Sequence, residues 1–182
     1  SAGWAAARPG EVLDTAATRS DAIGYGHHLV LRALAAALLG DWPSALHLAR
    51  LVTPLLGLMS ISFAMSLQRF MHALALCRSA RDAAPEERAA MLIELEPVAA
   101  WIARHAADAP MNFGPWHALI EAMRAWLAGT HAEAAALFET AIAVGAEHGQ
   151  PFSHALACEM AAEYHAAQGA AHAARAYRTL AI

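Results

Sequence analysis

The stretch Gly129-Thr-His-Ala-Glu-Ala134-Ala-Ala-Leu-Phe138-Glu-Thr-Ala141 decides the fold of this 182-residue chain. In it, a turn-forming glycine is followed by a small, an aromatic and a small residue at offsets of five, nine and twelve. Residues spaced by three and four fall on one face of an α-helix. Because two of them are alanines, a second helix can approach that face closely. The stretch predicts a helix that starts after a glycine turn and packs tightly on its neighbour.

The same frame recurs elsewhere in the chain. Five positions after Gly40 and Gly169 stand the small residues Ala45 and Ala174. The frame from Gly169 also carries an aromatic residue, Tyr177, one position earlier than expected, and a small residue, Ala181, at offset twelve. A small residue also stands seven positions before each turn glycine, at Ala33, Ala122 and Ala162. Repetition of one frame predicts stacked copies of one supersecondary unit.

The spacing of the turn glycines predicts how many units there are. Gly129 and Gly169 lie 40 residues apart, and Gly40 and Gly129 lie 89 residues apart, so one further unit fits between the latter two. Glycine and proline breaks divide the chain into helical segments at 10–18, 21–39, 43–56, 60–79, 86–107, 114–128, 131–148, 152–168 and 170–181. We therefore predict an all-α solenoid of about four antiparallel helix pairs, with 1–182 as a single array cut from a larger protein.

The repeated frame resembles the second helix of a tetratricopeptide repeat. From Asp108 onward the resemblance is more specific, and it is carried by 109–113, 119–122, Arg124, Gly129, 141–142, 155–164, Gly169, Ala174 and Tyr177. This part is similar to the helical region of large bacterial signalling proteins that join a serine/threonine-kinase-like domain, an AAA-type ATPase, a GAF domain and a sensor histidine kinase. The resemblance implies a non-catalytic scaffold or interaction module that contacts flanking domains or other proteins.

A large ATP-dependent transcriptional regulator of the maltose-activator type carries a similar array. That second resemblance implies an alternative function, a helical-repeat domain that senses a small molecule. In both settings, phosphoryl chemistry belongs to other domains. The sequence agrees, because it contains no lysine and therefore no phosphate-binding GxxxxGK[ST] loop.

Composition narrows the classes of partner. A net charge of −4 argues against nucleic acid, whose binders concentrate basic residues on one face. The most apolar stretch, 51–65, is too short for a membrane span and contains Pro54 and Gly57. Cys77 and Cys158 show no paired spacing, so we expect a reducing cytoplasm. Apolar ends of the array suggest a homodimer as a further form of the chain.

Four apolar residues recur at helical spacing on the first helix of one pair: Trp116, Leu119, Met123 and Trp126. Such a stripe forms either the core or a groove that contacts a ligand or peptide. The next first helix would place Glu159 and Glu163 on the corresponding side. As a groove, these six residues would give an apolar floor with an acidic edge, suited to a basic or amphipathic segment. The alternative is that the glutamates face water or pair with arginines.

No catalytic or metal site is expected from the spacing of polar residues. His154, Cys158 and His165 lie on roughly one helix face, but Cys158 falls at a packing position, where a thiol acts as a small apolar group. Glu94 and Glu96 are two apart on a helix, so their carboxylates point away from each other. We expect neither an enzyme nor a bound metal or cofactor.

Overall fold

A computed structural model describes residues 22–57 and 63–181, and the predicted helix at 10–18 lies outside these ranges. The regular structure in the described ranges is entirely helical, which confirms the all-α prediction. The helices are α1 (Ala22–Leu38), α2 (Trp42–Val52) with a 3-10 turn (Thr53–Leu55), α3 (Phe63–Asp82), α4 (Pro85–Asp108), α5 (Pro110–Ala128), α6 (His131–Glu147), α7 (Pro151–Ala167) and α8 (Ala171–Leu180). No helix within these ranges is both long enough and apolar enough to cross a bilayer.

The chain forms two compact units, the first ending at Ala75 and the second beginning at Leu76, and α3 runs through the boundary. In the first unit α1 packs on α2. In the second unit each of α4 to α7 packs on the helix that follows it, and α5 also contacts α7. Packing therefore follows chain order within each unit.

Side-chain to backbone hydrogen bonds fix the directions of neighbouring helices. Arg88, near the start of α4, donates from Nη2 to the carbonyl of Leu127 at the end of α5. Tyr164, near the end of α7, donates its hydroxyl to the carbonyl of His131 at the start of α6, at 2.7 Å. The helix pairs α4–α5 and α6–α7 are therefore antiparallel, as short connections between packed helices require.

The turn glycines of the repeated frame share one backbone conformation. Gly40, Gly129 and Gly169 each have a φ of 77°. This left-handed conformation costs glycine little, because it has no Cβ. At Gly129 the glycine and the next residue donate their N–H groups to the carbonyls of Trp126 and Ala125, at 3.1 and 3.0 Å. The frame therefore identified real helix ends.

The small residues of the frame are buried, as the packing argument predicts. The alanines seven positions before the glycines and five positions after them are each at most 3% exposed; they are Ala33, Ala122, Ala162, Ala45, Ala134 and Ala174. Phe138, the aromatic of the frame, is 1% exposed. The three copies thus place equivalent residues in the interior.

Helix α5 begins at Pro110, four residues before the predicted start at 114, and continues through Pro115. Pro115 has no N–H, so it cannot bond to the carbonyl of Met111, four residues earlier. Gln150, just before α7, donates from Nε2 to that carbonyl at 2.5 Å. The Met111 carbonyl, which has no partner within α5, is thereby satisfied by Gln150. This bond allows a proline inside the helix.

Candidate functional site

The four apolar residues of the predicted groove are buried. Trp116 and Trp126 are 5% and 8% exposed, and Leu119 and Met123 are fully buried. The stripe therefore belongs to the core of the second unit, which is the alternative that its helical spacing also allowed. A partner would have to displace packed side chains to reach it.

Trp116 is held by a chain of polar contacts. Its Nε1 donates to Oγ of buried Ser153 at 3.0 Å, and that hydroxyl donates to Oε1 of Gln150 at 2.8 Å. Phe113 meets the indole edge to face, with ring centroids 5.5 Å apart. A buried indole N–H needs such an acceptor. These contacts join the start of α5 to the start of α7.

The other end of the stripe is closed by an arginine. The guanidinium of Arg81, on α3, lies over the ring of Trp126, 4.1 Å from its centroid. Glu163 of α7 pairs with Arg78 Nε at 2.8 Å and with Arg81 Nη1 at 3.5 Å. Arg78 Nε, Arg81 Nη1 and Glu163 Oε2 have no hydrogen-bond partner among the described residues. The contacts are therefore ion pairs without aligned hydrogen bonds. Glu163 is thus neutralised by arginines.

The second predicted carboxylate, Glu159, is exposed. It lies one turn before Glu163 on α7, but no ion pair is found for it among the described residues. The two glutamates therefore differ in their surroundings, since Glu159 is exposed and Glu163 is engaged with arginines.

An open pocket with an apolar floor and an acidic rim lies elsewhere in the second unit. It has a volume of about 380 Å³ and is formed by α4, α5 and α6. Leu92, Leu127 and Leu137 supply large apolar side chains, one from each helix. Alanines at the end of α5 add to the floor. The pocket thus combines the apolar floor and acidic edge that were predicted for the groove, but it is lined by other residues.

Charged residues on the same three helices line the pocket: Glu96 on α4, Glu121 and Arg124 on α5, and Glu133 on α6. Arg124 bridges two of the carboxylates, with Nη2 2.7 Å from Glu96 and Nη1 3.1 Å from Glu121. Glu133 is exposed in the first turn of α6. Three carboxylates against one guanidinium leave a formal charge of −2 on the lining.

Residue spacing along the chain carries little signal for this pocket. The spacing of Glu121 and Arg124 predicts a contact on one helix face. Glu96 and Glu133, however, join them from other helices, 25 and 12 residues away from Glu121. Only the packing of α4 and α6 on α5 brings these residues around one opening.

His154 and Cys158, which spacing did not indicate as a catalytic pair, contact each other in the structure. The sulfur of Cys158 lies 3.7 Å from Nε2 of His154, and the other ring nitrogen lies 3.1 Å from the carbonyl of Ile142. Burial raises the pKa of the Cys158 thiol, and the charges of Glu139 and Glu159 raise it further. Since only a thiolate is a good nucleophile, this arrangement does not activate the sulfur.

Cys77 is buried in the interior, and His165, the third residue of the predicted His–Cys–His face, contacts a neighbouring aromatic ring. Complete burial raises the pKa of Cys77 to about 12. His165 stacks on Tyr177 with ring centroids 5.0 Å apart. Within residues 22–57 and 63–181, no group of three or more His, Cys, Asp or Glu side chains is placed to hold a metal ion.

Comparison with protein-family models, with curated proteins and with solved structures found no match to this chain. Three features of the chain bear on its function. These are the exposed apolar side chains, the acidic pocket and the state of its thiols.

Proposed function

We propose that the chain is a non-catalytic interaction or scaffold module of a bacterial signal-transduction protein, and that it contacts flanking domains or another protein. The packing of helices on their sequence neighbours supports this proposal, because arrays built in this way present long continuous surfaces. A tetratricopeptide-like arrangement of the helix pairs is part of the proposal.

The observation that carries the proposal is a repeated exposed apolar residue. Each odd-numbered helix has a large apolar side chain at its first or second position, exposed by between 37% and 72%: Ile23, Phe63, Met111 and Phe152. Exposed apolar side chains mark a contact surface where they lie together in one patch. In the second unit, the bond from Gln150 to the Met111 carbonyl brings the starts of α5 and α7 together.

The state of the two thiols supports a role without catalysis. Both Cys77 and Cys158 are buried, and burial raises the pKa of each, so both remain protonated near neutral pH. A buried neutral thiol packs as a small apolar group.

Photocrosslinking from the exposed apolar positions tests the proposal. A photoreactive phenylalanine analogue would replace Met111 or Phe152 in the protein expressed in the cells that encode it, and crosslinked products would be identified by mass spectrometry. We expect the two positions to capture the same domain or protein. Ala136, exposed on α6, is the control position. Identical products from position 136, or no products from 111 and 152, would contradict the proposal.

A second candidate function is small-molecule sensing, as in a large ATP-dependent transcriptional regulator. The pocket volume of about 380 Å³ favours it, since small-molecule sites begin at about 300 Å³. Neither Trp116 nor Trp126 lines that pocket. A thermal-shift screen against metabolites separates the two functions, because a bound ligand raises the melting temperature by mass action. A scaffold gives no such shift.

A further inference from the structure

We propose that the pocket formed by α4, α5 and α6 receives an arginine or lysine side chain from a partner protein segment. The inference rests on the proposed interaction function and names the chemistry of its partner. Two properties of the pocket support it: its charge and its apolar floor.

The charge of the lining selects a cation. Glu96 and Glu121 are both joined to Arg124, and that network carries one excess negative charge. Glu133 adds another and is exposed at the rim. An incoming guanidinium or ammonium can approach Glu133 directly and also share the carboxylates of the network. An incoming carboxylate would meet three glutamates.

The floor suits the stem of a long basic side chain. Leu92, Leu127 and Leu137 offer apolar surface from three helices. Arginine and lysine bury their methylene stems on such surface and keep the charged group at a polar rim. A single long basic side chain therefore fits this pocket.

Titration of the intact chain with short peptides, followed by the NMR shifts of backbone amides, tests the inference. The probes are a peptide with a central arginine between leucines and alanines, the same peptide with neutral citrulline in its place, and free arginine amide. We expect the arginine peptide to move the amide signals of Ala128 and Thr130 in a saturable way. We expect citrulline to weaken binding by about tenfold, which corresponds to loss of one charge-assisted hydrogen bond.

Protein variants assign the effect to the pocket. E133Q should weaken the arginine peptide about two- to fivefold, the range for one exposed ion pair, and E96Q/E133Q should weaken it further. E147Q is the matched control, since Glu147 is exposed on the same helix α6 but does not line the pocket. It removes the same charge from the chain. Affinity for the arginine peptide should also fall with added salt.

Each of the following outcomes would overturn the inference: no shift at Ala128 and Thr130, equal affinity for the citrulline peptide, or equal losses in E133Q and E147Q. Free arginine amide that binds as tightly as the peptide would instead assign the pocket to small cations. Photocrosslinking from positions 111 and 152 in E96Q/E133Q tells the two proposals apart. If the same partner is still captured there while the arginine peptide fails to bind, the interaction function stands and the pocket has no part in it.

Discussion

Cys77 shows how one buried residue sets the response of the protein to alkaline pH. Complete burial raises its pKa from 9.0 to about 12. Well below pH 9 the thiol is protonated in both the folded and the unfolded chain, so its ionisation causes no pH dependence of stability there. Above pH 9 only the unfolded chain loses the proton. Stability should therefore fall between pH 9 and pH 12, by up to about 1.4 kcal/mol per pH unit from this group.

Comparison with C77A isolates that contribution. The variant should show a shallower fall in the free energy of unfolding over pH 9 to 12, measured by urea denaturation at each pH. Tyrosines and other groups titrate in both proteins, so their effects cancel in the difference. Equal slopes for the two proteins would show that Cys77 is not protected from ionisation in the folded state.

The two carboxylates that pair with Arg78 should differ in their contribution to stability. Glu163 is 31% exposed and Asp82 is 69% exposed, and each of them pairs with both Arg78 and Arg81. E163Q removes the less exposed carboxylate from two partly buried guanidinium groups, so we expect a loss of about 1 to 2 kcal/mol. D82N should cost under about 0.5 kcal/mol, as surface pairs do.

Thermal or urea unfolding of the two variants decides between these expectations. Both substitutions remove one negative charge near Arg78, so the net charge of the chain changes equally. A loss in D82N as large as that in E163Q would mean that burial does not distinguish the pairs. Raised salt should reduce the effect of D82N more than that of E163Q.

At the scale of helices, Gly145 on α6 marks a close approach to α7. A Cβ at this position would lie 3.1 Å from the backbone N and Cα of His154. Backbone atoms cannot move aside as a side-chain tip can. G145A gains about 1 kcal/mol of helix propensity but forces the helices apart, at a cost of about 1 to 3 kcal/mol. We expect a net loss of about 1 kcal/mol in urea denaturation.

The control for this variant is A143G on the same helix, where Ala143 is exposed. It changes helix propensity without changing the contact with α7, and should cost about 1 kcal/mol. If G145A instead stabilised the protein by the amount that A143G destabilises it, the close approach of α6 and α7 would be refuted.

Helix positions followed from local sequence because their start and stop signals are local. The glycine frame located the ends of α1, α5 and α7 through the left-handed turns at Gly40, Gly129 and Gly169. The start of α5 did not follow, since a proline within a helix normally indicates a boundary. Gln150 lies 35 residues beyond Pro115 along the chain, and its contribution to α5 required the packed structure.

At the scale of the whole molecule, packing in chain order predicts graded stability. The last helix, α8, packs on α7, with Tyr177 stacked on His165 and bonded to Glu139 of α6. Deletion of residues 170–182 should speed amide hydrogen exchange in α7 and leave exchange in α4 nearly unchanged. The reason is that, in an array, each helix pair is stabilised mainly by the pairs next to it. Exchange measured by mass spectrometry reads each helix separately.

A closed globular domain would respond differently to the same deletion. Loss of α8 would then lower protection in α4 as much as in α7, since all helices would share one core. Equal acceleration along 85–167, or complete unfolding, would contradict an array. Retained protection in α4 with loss confined to α7 and α6 would support the proposed tetratricopeptide-like arrangement.

The sequence by itself determined the helical class, the turn glycines and the alanines that pack between helices, because these depend on spacing within one or two turns of chain. It could not decide whether the stripe of Trp116, Leu119, Met123 and Trp126 faces the core or a groove, since both uses have the same periodicity. Tertiary structure decided that all four are buried. It also placed Glu163 against arginines and gathered Glu96, Glu121 and Glu133 around one opening. Contacts between distant segments exist only once the helices have packed, so no local pattern specifies them.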